Sequence, residues 1–156
     1  MNDFRPGDRL CHCTLIGRCG AGSYGEVYLA EDDIGARVAV KIVPNGGRYS
    51  EREIAGLRHY RDCNHPNLLK IRHIEISPER IVYTMDAADD LHQGKGEYLP
   101  DTLANRLRLR RRLDGAEIET MLAGILSGLE ELHGRNLVHR DIKPDNILYV
   151  NGRPTL

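Results

Sequence analysis

Short apolar runs, interrupted by glycines and acidic pairs, mark the chain from residue 10 to residue 43. Two of these runs, at residues 27–30 and 38–43, flank the sequence Asp-Asp-Ile-Gly at 32–35. Such runs are typical of strands rather than helices, and the turn-forming residues between them predict an antiparallel hairpin.

One helix is predicted within this sheet-rich half. The sequence Ser-Glu-Arg-Glu at 50–53 is a capping-box pattern, and Ile54 and Leu57 follow it at helical spacing. These features predict a short helix at about residues 51–61. Turn-forming residues then separate two further predicted strands, at 68–76 and 81–85.

Helical periodicity dominates after a polar, glycine-containing connection that begins beyond Met85. A leucine-containing stretch at 103–113 predicts one helix. A longer helix is expected to begin at the capping pair Asp114 and Glu117 and to end at Gly134. Its predicted core stripe consists of Ile118, Met121, Leu122, Ile125, Leu126, Leu129 and Leu132.

The chain is therefore predicted to have an α+β fold in two parts. Residues 1–85 form a mainly antiparallel sheet with one helix, and residues 86–97 form a connection. Residues 98–156 begin with helices and end with a hairpin, because Asn-Gly at 151–152 is a strong two-residue turn signal.

Composition narrows the classes of function. The 156 residues are 40% hydrophobic, which is enough for a buried core, and the net charge of -1 gives no overall attraction to nucleic acid or acidic membranes. Because no run of eighteen apolar residues occurs, we expect a cytoplasmic segment that does not span a membrane. The oligomeric state is not indicated.

Two local clusters have ordinary explanations. Five arginines between residues 106 and 112 alternate with leucines and lack neighbouring aromatic residues, so they predict a solvated helix face rather than a nucleic-acid patch. Cys11, His12 and Cys13 could ligate a metal, but zinc sites usually separate paired cysteines by at least two residues. Buried, reduced thiols are the expected state of the four cysteines.

A glycine-rich segment could hold an anion. It reads Gly20, Ala21, Gly22, Ser23, Tyr24 and Gly25. Glycines let the backbone approach an anion and turn N–H groups toward it. Because a strand pattern rather than a helix follows at Val27, a dinucleotide-binding fold is disfavoured; a hairpin without a ligand is the plain alternative.

Lys41 ends the buried-strand pattern Val-Ala-Val-Lys at 38–41. A buried ammonium needs an anionic partner, because desolvating an unpaired charge is costly. Phosphates together with a carboxylate would supply one. A lysine that reaches solvent from the strand end is the alternative.

The sequence His-Arg-Asp-Ile-Lys-Pro-Asp-Asn at 139–146 carries several ionisable groups, and its proline opposes a helix. Within it, Lys143 follows Asp141 by two residues, and Asn146 follows Asp141 by five. A solvated turn is the simplest explanation of this segment alone. In order and spacing, however, the three segments together resemble the motifs of a Hanks-type serine/threonine protein kinase.

This resemblance implies ATP and Mg²⁺ as cofactors and a protein serine or threonine hydroxyl as acceptor. Asp141 would lie at the acceptor hydroxyl, Lys143 at the transferred phosphoryl group, and Asn146 would bind Mg²⁺. The glycine segment and Lys41 would hold the phosphates. Glu53 is the expected partner of Lys41, although Glu53 could instead complete the helix cap and Glu51 is close.

Further residues resemble the surroundings of the adenine ring. Val27, Ala39 and Leu148 match positions that enclose it, and the backbone of Asp86 and Ala88 matches the segment that binds its edge. All could equally be ordinary core or connecting residues.

The Asp-Phe-Gly motif of such kinases would follow Leu156, so the 156 residues alone are expected to be inactive and to leave the stripe of the long helix incompletely covered. A non-catalytic kinase-like scaffold and a small-molecule phosphotransferase are the alternatives. Lys143-Pro144 in the loop makes the second less favoured.

Overall fold

A computed structural model of the chain describes residues 4–22 and 25–156. The strands are β1 (Arg9–Leu10), β2 (Cys13–Gly22), β3 (Gly25–Asp32), β4 (Arg37–Pro44), β5 (Ile71–Ile76), β6 (Arg80–Asp86), β7 (Leu148–Val150) and β8 (Arg153–Thr155). The helices are α1 (Arg48–Tyr60), α2 (Leu103–Arg110) and α3 (Gly115–Gly134), and a 3-10 turn spans Pro144–Asn146. The predicted α+β class is confirmed.

Two compact units divide the chain: Met1–Arg61 with Ile71–Ala87, and Asp62–Lys70 with Ala88–Leu156. Residues 62–70 therefore group with the later part of the chain, although they precede β5. The predicted strand at 68–76 begins only at Ile71. Leu69, inside the predicted range, instead donates its N–H to Leu156 O, and Leu156 N–H donates to the O atom of Asn67, just before that range.

The first unit is built on a six-stranded sheet in the order β1-β2-β3-β4-β6-β5, with antiparallel neighbours throughout. The predicted hairpin joins β3 and β4. The Asp32 carboxylate closes its turn by accepting the N–H groups of Ile34 and Ala36 at 3.1 and 2.8 Å. An aspartate that caps its own turn explains why the sequence signal was reliable here.

Both faces of this sheet are covered by apolar side chains, because successive residues of a strand point to opposite faces. One cluster consists of Cys11, Cys13, Leu15, Tyr28, Ala30, Val38, Val40, Ile42 and Val82. The other consists of Val43, Ile81, Tyr83 and Leu57, the last of which belongs to α1. Helix α1 thus packs on the face that also carries Lys41, two residues before Val43.

The predicted capping box at residues 50–53 is wrong. Helix α1 begins at Arg48 with Gly47 as its N-cap, and no side chain caps it among the described residues. Ser50 lies inside the first turn, where its hydroxyl accepts from Gly46 N–H and donates to Gly47 O, both at 2.9 Å. The carboxylate of Glu53 makes contacts outside the helix instead.

In the second unit, α3 begins as predicted, because Asp114 and Glu117 form a complete capping box. The helix approaches its neighbours closely at two glycines. A Cβ on Gly124 would lie 2.7 Å from Asn67 Nδ2, and one on Gly128 would lie 3.0 Å from Asn67 O. Within the predicted stripe, Ile125 and Leu132 are buried, whereas Ile118, Leu122 and Leu126 are exposed.

The hairpin β7–β8 turns at Asn151 and Gly152, both with positive φ, as the Asn-Gly signal predicts. The Asp89 carboxylate accepts the N–H groups of both turn residues at 2.9 and 2.7 Å. Across the parts of the chain that the structure describes, no helix has the length and apolar character needed to cross a bilayer.

The arginine-rich stretch is not a uniformly solvated face. Arg106 is largely buried, and its guanidinium binds both carboxylate oxygens of Asp101 at 2.6 and 2.8 Å. The same guanidinium lies 3.2 Å above the ring of Tyr149. The prediction fails for this arginine because neither partner belongs to the helical pattern: Asp101 precedes α2, and Tyr149 lies on β7. The remaining arginines of the stretch are exposed.

Candidate functional site

The first candidate group lies in the first unit, where β4, β6 and α1 meet. Lys41 Nζ is 2.8 Å from Glu53 Oε1, and the side chains of both residues are about three-quarters buried. Tyr83 stands directly opposite Lys41 on β6, and its hydroxyl donates to the same Glu53 oxygen at 2.6 Å. The structure therefore brings Glu53 to Lys41, whereas Glu51 is exposed.

Tyr83 was not among the residues singled out from sequence. Burial raises its pKa well above the usual range, and the neighbouring Glu53 carboxylate raises that pKa further. The phenol therefore stays protonated and donates to Glu53 near neutral pH. The only sequence signal was its place in an apolar strand run, which predicts burial but not this hydrogen bond.

The glycine segment lies at the adjoining ends of β2 and β3. Gly20, Ala21 and Gly22 end β2, and Gly22 pairs with Gly25 at the start of β3. Ser23 and Tyr24 lie outside the described residues. The backbone requires glycine at Gly25: its φ is 133°, and a Cβ there would lie 2.3 Å from Ile42 O.

Two of the predicted adenine-contacting residues share a sheet face with Lys41. Val27 pairs directly with Lys41, and Ala39 lies two residues before Lys41 on β4. Paired residues and alternate residues of a strand point to the same side. The structure therefore gathers these three side chains beside the glycine segment.

The other predicted adenine-contacting residues have partners of their own. The Asp86 carboxylate accepts Nε and Nη2 of Arg72 at 2.9 and 2.6 Å. In the second unit, Ala88 O accepts the Tyr98 hydroxyl at 2.8 Å. Leu148 begins β7, where it pairs with Thr155 and is half-buried.

The second candidate group is the loop that contains Asp141. Lys143 Nζ lies 2.9 Å from Asp141 Oδ2. The Asn146 amide donates both to that carboxylate oxygen, at 2.7 Å, and to Asp141 O, at 2.8 Å. The structure thus brings together all three residues that the sequence predicted for this loop.

Hydrogen bonds from Lys143 and then Asn146 hold the pKa of Asp141 below its usual range, although the carboxylate is more than half exposed. The Asp141 side chain is therefore an ionised carboxylate near neutral pH, and its Oδ2 accepts from both Lys143 and Asn146. The 3-10 turn Pro144–Asn146 places the amide of Asn146 back over Asp141. A proline that opens this turn fixes the loop geometry.

His139 precedes this group and is half-buried. Burial lowers its pKa, and the Asp141 charge opposes that shift. Its Nδ1 accepts the backbone N–H of Asp141 at 3.4 Å, a contact that requires an unprotonated nitrogen. The neutral imidazole therefore supports the backbone of the loop.

Comparison with known proteins gives one consistent family. A family model described as "Protein kinase domain" matches residues 13–155. The chain is 30% identical over 140 residues to "Cell division control protein 2 homolog 2" of Trypanosoma brucei brucei, with 86% of this chain and 37% of that protein covered. It is 32% identical over 148 residues to "Cyclin-dependent kinase 4" of Mus musculus, with 87% and 47% covered.

A bacterial relative is matched along almost the whole chain. "Probable serine/threonine-protein kinase PkwA" of Thermomonospora curvata is 30% identical over 157 residues, with 99% of this chain and 20% of that protein covered. The chain spans less than half the length of each of these relatives. Among solved structures, the kinase domain of PknI from Mycobacterium tuberculosis, in a cysteine-to-alanine mutant form, superposes with a TM-score of 0.77 at 20% identity, covering 98% of this chain and 61% of that one.

Proposed function

Because this chain belongs to the protein kinase family, we propose that it supplies the nucleotide-holding and acceptor-facing residues of a serine/threonine protein kinase. The family uses ATP, and its members act on proteins. Relatives named as serine/threonine kinases support the acceptor class. Lys143 supports it further, because this lysine resembles the loop lysine of serine/threonine kinases.

The first group fits nucleotide phosphates. The Lys41 ammonium has three donors, and Glu53 accepts one of them; the others can reach phosphate oxygens. Gly25 packs against the backbone of Ile42 so closely that a Cβ would not fit between them. Backbone N–H groups of the glycine segment would complete the phosphate contacts, and Val27 and Ala39 would contact the adenine ring.

The Asp141 loop fits the transfer step, and it is the single observation that carries the proposal. An ionised carboxylate beside a lysine can orient an acceptor hydroxyl and take its proton. Lys143 would stabilise the negative charge of the transferring group. Asn146 donates through its amide nitrogen, which leaves its amide oxygen as a hard ligand for Mg²⁺.

Bound Mg-ATP would supply the phosphoryl group. The residues of this chain would do the rest: Lys41 orients the phosphates, Glu53 fixes Lys41, and Asp141 holds the acceptor oxygen and receives its proton. Tyr83 would position Glu53, because it donates to the same oxygen that Lys41 binds. A plain solvated turn would not need Lys143 and Asn146 to contact the same carboxylate oxygen of Asp141.

Nucleotide binding tests the first half of this proposal. We expect Lys41→Met to weaken Mg-ATP binding at least about tenfold, since a charge-assisted hydrogen bond contributes roughly 1.5–3 kcal/mol. The exposed lysine in Lys95→Met provides a matched control that should bind like the parent. Equal affinities for Lys41→Met and the parent, measured by isothermal titration, would refute the phosphate role of Lys41.

A further inference from the structure

Three side chains of metal-binding type meet in the first unit, away from Lys41. Cys11 lies in the turn between β1 and β2, and His73 and Glu75 lie on β5. One ligand atom from each of the three lies within 4.8 Å of the others. His73 Nε2 is 3.1 Å from Glu75 Oε1.

The backbone directs these side chains to one place. β1 and β5 are the two outer strands of the six-stranded sheet, so the cluster joins the sheet edges that lie farthest apart in strand order. Cys11 has a φ of 50° within its turn. His73 and Glu75 are two residues apart and point to the same face, following an irregularity in the ladder after Ile71.

We propose that Cys11, His73 and Glu75 form a Zn²⁺ site that links these two edges. A thiolate, an imidazole and a carboxylate are all established zinc donors, whereas Mg²⁺ and Ca²⁺ prefer oxygen alone. Tetrahedral zinc needs ligand atoms about 3.3–3.8 Å apart. Since the three ligand atoms already lie within 4.8 Å of one another, a contraction of at most about 1.5 Å is needed, and rotation of the half-exposed His73 and Glu75 side chains can supply it.

Access and chemistry agree with this assignment. Cys11 is buried, but His73 and Glu75 are about half exposed and give an ion a path from solvent. With three protein ligands, water would take the fourth position. Zn²⁺ would displace the proton of the Cys11 thiol on binding, because the thiolate is the form that ligates the metal.

The site differs from the arrangement that sequence alone suggested. Cys13 is not among the three ligands, although it lies close in sequence and its thiol donates to Cys11 O at 3.3 Å. His12 contributes only an edge-on ring contact to His73, with centroids 6.1 Å apart. The partners of Cys11 come from more than sixty residues later in the chain, which a motif search by spacing cannot find.

Cobalt substitution tests the proposal directly. Titrating Co²⁺ into the reduced 156-residue chain should produce a thiolate-to-cobalt charge-transfer band that saturates at one equivalent and disappears on adding Zn²⁺. We expect Cys11→Ser to abolish the band, and His73→Gln and Glu75→Gln each to weaken Zn²⁺ binding at least about tenfold.

Two variants serve as matched controls: Cys63→Ser removes a buried thiol elsewhere, and His59→Gln removes an exposed imidazole of the same unit. Both should bind like the parent. Circular dichroism without metal establishes that each variant is folded; should Cys11→Ser not fold, the exposed His73 and Glu75 carry the test. Absence of the band, or equal binding by all the variants, would overturn the proposal. Neither result depends on ATP, so the kinase proposal is tested separately.

Discussion

The Tyr83 hydroxyl and the Lys41 ammonium both bind Oε1 of Glu53, at 2.6 and 2.8 Å. The two donors stand opposite each other on adjacent strands, and the ammonium lies 5.4 Å from the centre of the Tyr83 ring. Glu53 reaches them from α1, which packs on the same sheet face. A carboxylate held by two donors is fixed in place, and it fixes the lysine in turn.

We expect Tyr83→Phe to lower the free energy of unfolding by about 1.5–3 kcal/mol, because it removes a buried hydrogen bond to a charged group. The change should appear as a lower urea midpoint. Mg-ATP affinity should fall much less than in Lys41→Met, because the contact between Lys41 and Glu53 remains. Wild-type stability in Tyr83→Phe would contradict the proposed positioning of Glu53.

Tyr149→Phe is the matched comparison and a prediction in its own right. The Tyr149 hydroxyl is buried and has no hydrogen-bond partner within residues 4–22 and 25–156. Removing an unsatisfied buried hydroxyl should leave stability unchanged or slightly raised, since a desolvated group is lost and no bond is broken. Urea denaturation measures both variants; a loss as large as that of Tyr83→Phe would show that this hydroxyl is bonded.

Arg106→Lys should destabilise the chain by about 1.5–3 kcal/mol despite keeping the positive charge. Lysine cannot form the two-pronged contact with Asp101 or stack its head group flat on Tyr149. Arg112→Lys, at an exposed position of the same stretch, should change stability by less than about 0.5 kcal/mol. Equal urea midpoints for both variants would contradict the structural role of Arg106.

His139 predicts a pH dependence of stability. Its pKa is lowered in the folded chain by burial, so the unfolded chain binds this proton more readily. The contribution of His139 to the free energy of unfolding is complete above its unfolded pKa of about 6.5. It is lost as the pH falls toward the lower pKa of the folded chain. His139→Gln should therefore lose less stability than the parent between about pH 7.5 and pH 5. Equal losses of stability for His139→Gln and the parent over this pH range would refute the assignment.

Gly25→Ala should cost at least about 2 kcal/mol, because a Cβ would meet Ile42 O at 2.3 Å in a backbone conformation of φ 133°. Gly20→Ala lies in the same segment, and its Cβ would approach Val27 Cβ at an ordinary 3.6 Å. We expect its stability to stay near that of the parent. The thermal unfolding midpoints of Gly25→Ala and Gly20→Ala test this difference. Equal midpoints would show that position 25 does not require a glycine.

Local signals predicted the features that depend on local chemistry. The turns at Asp32 and at Asn151-Gly152 and the cap at Asp114 all formed as expected. The turn at Asp32 and the cap at Asp114 are stabilised by residues within four positions, and the Asn-Gly pair has the positive φ that its turn needs. The contacts of Ser50 show the limit of that reasoning. A capping pattern was present, but glycines before it let the helix begin a turn earlier.

The features that the sequence did not predict depend on contacts between residues that are far apart along the chain. Sequence placed Lys41 with Glu53 only through a family resemblance, and it did not find Tyr83 at all. Arg106 was assigned to solvent because its partner Tyr149 lies more than forty residues later. Cys11 and Glu75 likewise lie close together although more than sixty residues separate them, and the spacing of residues along the chain does not encode that contact.

Asp141 is the residue on which the proposed kinase activity most depends, and a phosphoryl-transfer assay tests that activity most directly. The protein translated from the complete reading frame containing these residues would be incubated with γ-labelled Mg-ATP and a mixture of peptides bearing serine, threonine or tyrosine. We predict label on serine and threonine, its loss in Asp141→Asn, and its retention in Asp145→Asn, an exposed aspartate of the same loop. Equal labelling by Asp141→Asn and the parent, label confined to tyrosine, or no transfer by the parent would contradict the account.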